Sequence, residues 1–211
     1  MNRVLGVLIV AAAWLNAGCT DLSVNRSIRV KDGETRSGSL TTVNGSIDIG
    51  DECRVRGTCR TVNGAIRVGY RSSVRELQTV NGGIKLDEGV AVRRDIESVN
   101  GGISCDPECE IGGGISTVNG GIRLERCEID GDISTHNGSI DCLDRTVVKG
   151  DITIKRSRGS SSRRKPLRIT VDDSVIHGDV INFNRRLEVI LILRDNGRVR
   201  GDVKNVKVVE E

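Results

Sequence analysis

Apolar residues recur along this chain at fixed offsets from an asparagine rather than at helical intervals. Six near-copies of one phrase start at positions 42 (TVNGSIDIG), 61 (TVNGAIRVG), 79 (TVNGGIKLD), 98 (SVNGGISCD), 117 (TVNGGIRLE) and 135 (THNGSIDCL). Their asparagines, Asn44, Asn63, Asn81, Asn100, Asn119 and Asn137, are 18 or 19 residues apart. A degenerate copy at Asn25 precedes them, with Arg26 in place of the glycine. Four residues before each of the six asparagines stands Leu40, Cys59, Leu77, Ile96, Ile115 or Ile133, and three after it there is always Ile. Five after come Ile49, Val68, Leu86, Cys105, Leu124 and Cys142, so the local spacing is two, the period of a strand. Immediately before the Asn stands Val, replaced once by His136, and this position is also expected to face inward.

A unit of this length holding two or three short strands cannot bury its own apolar face, but stacking on identical neighbours supplies both a core and backbone partners. The predicted fold is all-β: one chain wound as a right-handed parallel β-helix of about 18–19 residues per coil, adjacent coils about 4.8 Å apart. A left-handed hexapeptide coil would need an apolar residue at every sixth position, which is not found. The Asn-Gly pair predicts a sharp corner at positive φ. Stacked corners bring Asn25, Asn44, Asn63, Asn81, Asn100, Asn119 and Asn137 into a structural amide ladder. The 26 glycines against two prolines, and an aromatic content of 1%, fit many tight turns around a thin aliphatic core.

The opening MNRVLGVLIVAAAWLNAGC has one early charge, an apolar run and small residues before Cys19, the pattern of an export signal too short to span a membrane. LNAGC resembles the lipobox of bacterial lipoproteins, with Asn16 where that family usually places Leu. The resemblance implies that Cys19 is lipidated and becomes the first mature residue. It divides the chain into a signal peptide (1–18), a lipidated tether (19–23), coils with TVNG repeats (24–155), a basic Ser/Arg loop (156–168) and C-terminal coils with a cap (169–211). Thr20 after the cysteine, by resemblance to enteric lipoproteins, implies transport to the outer membrane, facing the periplasm.

The formal charge of +3 is unevenly spread. Residues 155–168 (KRSRGSSSRRKPLR) carry seven cations and no acid; removing these and Arg3 from 32 leaves 24 cations against 29 acids, about −5 for the remainder. Arg156, Arg158, Arg163, Arg164 and Lys165 are therefore candidate contacts to anionic lipid or polysaccharide. Nucleic acid is not an expected partner, since export removes it and the mature aromatics are Tyr70 and Phe183 alone.

TVNGxI, with KGDITI (149–154), HGDVIN (177–182) and RGDVKN (200–205), resembles a bacterial adhesin-like repeat family of unknown function, and more loosely the polymer-forming bactofilins. The resemblance covers most of the mature chain. It implies a secreted or membrane-anchored β-helix and carries no catalytic or binding residues across.

Six cysteines follow Cys19, all at inward positions, where Cys replaces Ile, Leu or Val as a small hydrophobe. Disulfides are the other reading: Cys53 with Cys59, Cys105 with Cys109 and Cys127 with Cys142, while Cys109 and Cys127, 18 residues apart, should stack on adjacent coils. No CxxC spacing marks a metal site, and no cofactor is implied. His136 and His177 neighbour no nucleophile in the repeat register. The column Asp48, Arg67, Lys85, Ser104, Arg123 and Asp141 is mixed in sign, which suggests cross-coil pairing on a solvated face rather than a clustered acidic site. Thr42, Thr61, Thr79, Ser98, Thr117 and Thr135 form a second column, expected as a solvent-side hydroxyl ladder. The functional expectation is a non-enzymatic cell-envelope lipoprotein, a structural or adhesin-like interaction module. The alternatives are a polysaccharide lyase or hydrolase on the same scaffold, and a self-assembling polymer former or other homo-oligomer.

Overall fold

The computed structural model describes residues 21–156 and 166–211. Among them all regular structure is β, and the strands pair in parallel with partners about one repeat away. The chain is a β-solenoid of about ten coils, as the repeat predicts; one sheet holds ten strands in strict chain order, from Ile28–Val30 to Lys207–Glu210.

Each coil has three faces. In one coil these are Glu110–Ile111, Ile115–Thr117 and Ile122–Glu125, referred to below as faces one, two and three. Faces one and two belong to a single 17-stranded sheet because Arg54–Thr61 and Ser73–Thr79 run through the corner between them. Equivalent residues lie in register: Ile103 pairs with Ile84 and Ile122, and Ile96 with Leu77 and Ile115. Together these columns form one continuous aliphatic core.

The structure corrects the inward assignment before each asparagine. Thr42, Thr61, Thr79, Ser98, Thr117 and Thr135 are buried, whereas Val43, Val62, Val80, Val99, Val118 and His136 are half-buried in the outward column. Strand alternation requires this exchange, because the buried residue four before the Asn shares its face with the residue two before it. The hydroxyls therefore form no solvent-side ladder. Five of the six reach back to a carbonyl of the preceding coil's corner, among them Thr61 to Gly45 (2.7 Å), Thr79 to Gly64 (3.0 Å) and Thr117 to Gly101 (3.3 Å), while Thr135 Oγ1 accepts the Gly138 N–H (2.9 Å).

The corner glycines also differ from expectation. Neither the ladder asparagines nor the glycines after them adopt positive φ; the described positive-φ glycines are Gly33 and Gly89. Glycine is needed because a Cβ there would overlap the neighbouring coil's backbone: at Gly101 it would meet the carbonyl of Gly82, and at Gly120 that of Gly101.

At the corner between faces one and two, carboxylates take a comparable part. Asp132 accepts the backbone N–H of Asp151 (2.9 Å), Asp151 that of Asp179 (2.8 Å) and Asp179 that of Asp202 (2.8 Å). These aspartates belong to the GD steps of the later repeats.

Two boundaries shift. Asp21–Ser23, expected within the tether, forms the first strand and pairs with Leu40–Thr42. After the basic segment the coil resumes at Leu167, so Arg168 belongs to the strand Leu167–Asp172.

Candidate functional site

The outward column of face two contains Gln78, Glu97, Ser116, Ser134 and Thr153, one residue per coil in direct register. Beside it runs the outward column that ends in Val99, Val118, His136 and Lys155. Between them lies a shallow surface depression, with about 20 Å³ of space below its rim, whose lining includes Glu97, Ser116, Ser134, His136 and Lys155. It exists because two successive coils place only serine where their neighbours place longer side chains.

The end of the depression at Glu97 is ordered by a hydrogen-bond chain. Arg60 Nε donates to Gln78 Oε1 (2.8 Å), and Gln78 Nε2 donates to Glu76 Oε1 (2.7 Å) and Glu97 Oε2 (3.3 Å). Burial, together with Asp95 and Glu76, raises the Glu97 pKa above the ordinary glutamate value, because the charged form loses water and faces like charge. At the opposite end, burial and the adjacent Lys155 ammonium hold His136 below the usual histidine value. His136 Nδ1 is buried without a hydrogen-bond partner. Thus His136 is a groove residue, not the core replacement for Val that its position in the repeat predicts.

The asparagine ladder is continuous. Asn44 Nδ2 donates to Asn25 Oδ1 (2.8 Å), and the same bond joins Asn63 to Asn44, Asn81 to Asn63, Asn100 to Asn81, Asn119 to Asn100 and Asn137 to Asn119, none longer than 3.0 Å. Each amide between the two ends uses one donor and one acceptor along the ladder, and the chain of bonds locks the corners in register.

The mixed-sign column is paired in part along itself and in part sideways. Arg67 bonds Asp48 of the previous coil (2.9 Å), whereas Lys85 turns to Asp87 (2.9 Å) and Asp106 (3.3 Å). These groups are exposed, so each such pair contributes at most about 1 kcal/mol.

The six described cysteines are buried free thiols, and none of the expected pairs is joined. Cys53 and Cys59 lie at opposite ends of the extended segment containing Arg54–Thr61. Six residues of extended chain reach at most roughly 20 Å, less here because the segment turns a corner, and the two thiols lie on different faces of the coil. Cys53, Cys109 and Cys127 instead occupy the column of Ser72, Thr146 and Ser174, and their thiols take the hydroxyls' part. Cys53 Sγ donates to the Lys31 carbonyl (2.9 Å) and Ser72 Oγ to that of Gly50 (2.8 Å). Hydrogen bonding to Cys127, then burial, pushes the Cys109 thiol up; Cys127, bonded to Cys105 and buried, is raised to about 12. Burial alone raises Cys59 to about 12. Such thiols are protonated near neutral pH and are poor nucleophiles.

Cys127 contacts both Cys105 and Cys109, and it follows Cys109 in register, because Glu110 pairs with Glu128. Oxidation during refolding is therefore expected to yield Cys109–Cys127 as the dominant link and to leave Cys59 free. Peptide mapping of non-reduced digests checks this, and a Cys53–Cys59 peptide would contradict the strand between them.

Cys19, Arg158, Arg163, Arg164 and Lys165 lie outside the described residues. Arg156 is exposed just after the face-two strand Ile152–Ile154, and His177 is exposed before Gly178. The same corner, one coil on, carries exposed Arg185, Arg186 and Phe183, which sequence reasoning did not single out. It also missed Glu97, Ser116 and Ser134. The available signal was the run Gln, Glu, Ser, Ser, Thr recurring every 18 or 19 residues, three positions before each asparagine of the ladder and at the equivalent place in the following coil.

Compared with known proteins, the chain matches no family model, no curated protein and no solved structure.

Proposed function

We propose that this chain is a non-enzymatic lipoprotein of the bacterial cell envelope, a β-helical structural or interaction module tethered through Cys19 and facing the periplasm from the outer membrane. The observation that carries the reading is positional. The LNAGC stretch ends two residues before the first strand, Asp21–Ser23, so a lipid on Cys19 would hold the first coil at the membrane. Ten coils at about 4.8 Å each reach about 50 Å along the axis, which presents three ribbed faces to partners at a distance from the bilayer. The groove and the basic corner at Arg156, Arg185 and Arg186 are the surfaces such a module would use.

Expression of the full chain in a lipoprotein-processing bacterium, with mass analysis of the mature N-terminal peptide, tests the tether. The expected product begins at a diacylated Cys19 and sediments with membranes, and Cys19→Ala releases the protein into the soluble fraction. A Cys19 without lipid in the wild-type product would overturn the reading.

A further inference from the structure

We infer that the face-two groove between Glu97 and Lys155 binds a short acidic saccharide, its sugar rings along the solenoid axis and its carboxylate at Lys155 and His136. The inference rests on the reading of the chain as an interaction module and names the ligand class for one face.

The chemistry of the lining selects the ligand. Ser116 and Ser134 place two hydroxyls on the floor, in adjacent coils. The buried Nδ1 of His136 lacks a partner, and a buried polar atom left this way is costly unless a ligand or water completes it. Two hydroxyls and one buried ring nitrogen on one surface suit a ligand rich in hydroxyls. Gln78 and Glu97, already held by Arg60, form an acceptor-bearing wall at one end. Lys155 supplies a cation at the other end, so a ligand with hydroxyls along its length and an anionic group at one terminus matches the charge order. The half-buried side chains of Val99 and Val118 give the apolar strip on which the C–H face of a sugar ring can rest.

The dimensions fit a short oligomer. From Glu97 to Thr153 is three coil steps, about 14 Å at the parallel-strand spacing. A polymer laid along the axis meets an equivalent rung at each step, and the two serine rungs lie in the middle.

The test titrates isotopically labelled full chain with trigalacturonate, and separately with cellotriose as a neutral sugar of equal ring number, following amide shifts by NMR. Saturable shifts centred on Glu97, Ser116, Ser134 and His136 are expected with trigalacturonate, and binding at least tenfold weaker with cellotriose. Lys155→Gln is expected to weaken trigalacturonate at least tenfold, and Ser116→Leu, which fills the floor from an outward position, to abolish the groove shifts. The asparagine-ladder amide signals report folding of each variant. No saturable groove shift at millimolar trigalacturonate, shifts confined to the Arg156, Arg185 and Arg186 corner, or equal binding by both variants would each overturn the assignment. Lipidation at Cys19 is read by mass and is independent of this outcome, so the site and the tethered-module reading can fail separately.

Discussion

Gly101→Ala is expected to destabilise the solenoid by about 3 kcal/mol or more, enough to unfold the coils around it. The residue is not in a left-handed conformation, so an alanine there meets no local backbone strain. The conflict lies between coils, where the added methyl would overlap the Gly82 carbonyl, a backbone atom that cannot rotate away. Coil spacing in this region is held from both sides: Asn100 N–H donates to the Val80 carbonyl (2.8 Å) and Ile103 N–H to that of Gly121 (2.9 Å). Relief would require the coils to separate, which would break the Asn100 to Asn81 amide bond and disturb the Thr117 bond to the Gly101 carbonyl. Gly33→Ala is the informative control. Gly33 sits at φ +72° with nothing near its would-be methyl, so its cost is local and about 1–2 kcal/mol. Urea denaturation of both variants measures the contrast. A Gly101→Ala protein within about 0.5 kcal/mol of wild type would mean that the corners do not stack this closely.

Ile122→Ala is expected to cost about 2–5 kcal/mol through the cavity it leaves. Ile122 is fully buried and lies between Ile103 and Ile140 in one column, so the void opens onto two neighbouring coils. In a stacked array each repeat draws its stability from the interfaces on either side, and weakening one coil weakens both of its interfaces. The unfolding curve is therefore expected to broaden or divide, with coils on the two sides of Ile122 melting separately, as well as to move to lower denaturant. Hydrogen exchange resolved by coil checks this. A single sharp transition shifted by less than 1 kcal/mol would show that the column can close over the gap.

Much of the architecture was legible in the residues. The 18- and 19-residue spacing of the asparagines, the Ile three positions later and the apolar residue two beyond that are sufficient for a parallel solenoid and its registered ladder. Several side chains were misplaced all the same. Thr117 was expected at the surface and Val118 inside, because hydropathy alone ranks valine as the more buried of the two; strand alternation from Ile115 put the hydroxyl inside, where the Gly101 carbonyl satisfies it. His136 was read as a core residue through the same exchange and lies in the groove beside Lys155. The pairing of Cys53 with Cys59 looked local by counting residues, but the extended chain between them carries the two thiols apart.

Period, class of fold and the asparagine ladder are properties of a repeated string, since every copy imposes the same neighbour on the next and register follows from spacing. The reason for each corner glycine, the carbonyl partners of the buried threonines and the groove over Ser116 and Ser134 depend on what lies one coil above or below. That neighbour is 18 or 19 residues away along the chain but only about 4.8 Å away in space, and sterics and hydrogen bonding act over the second distance.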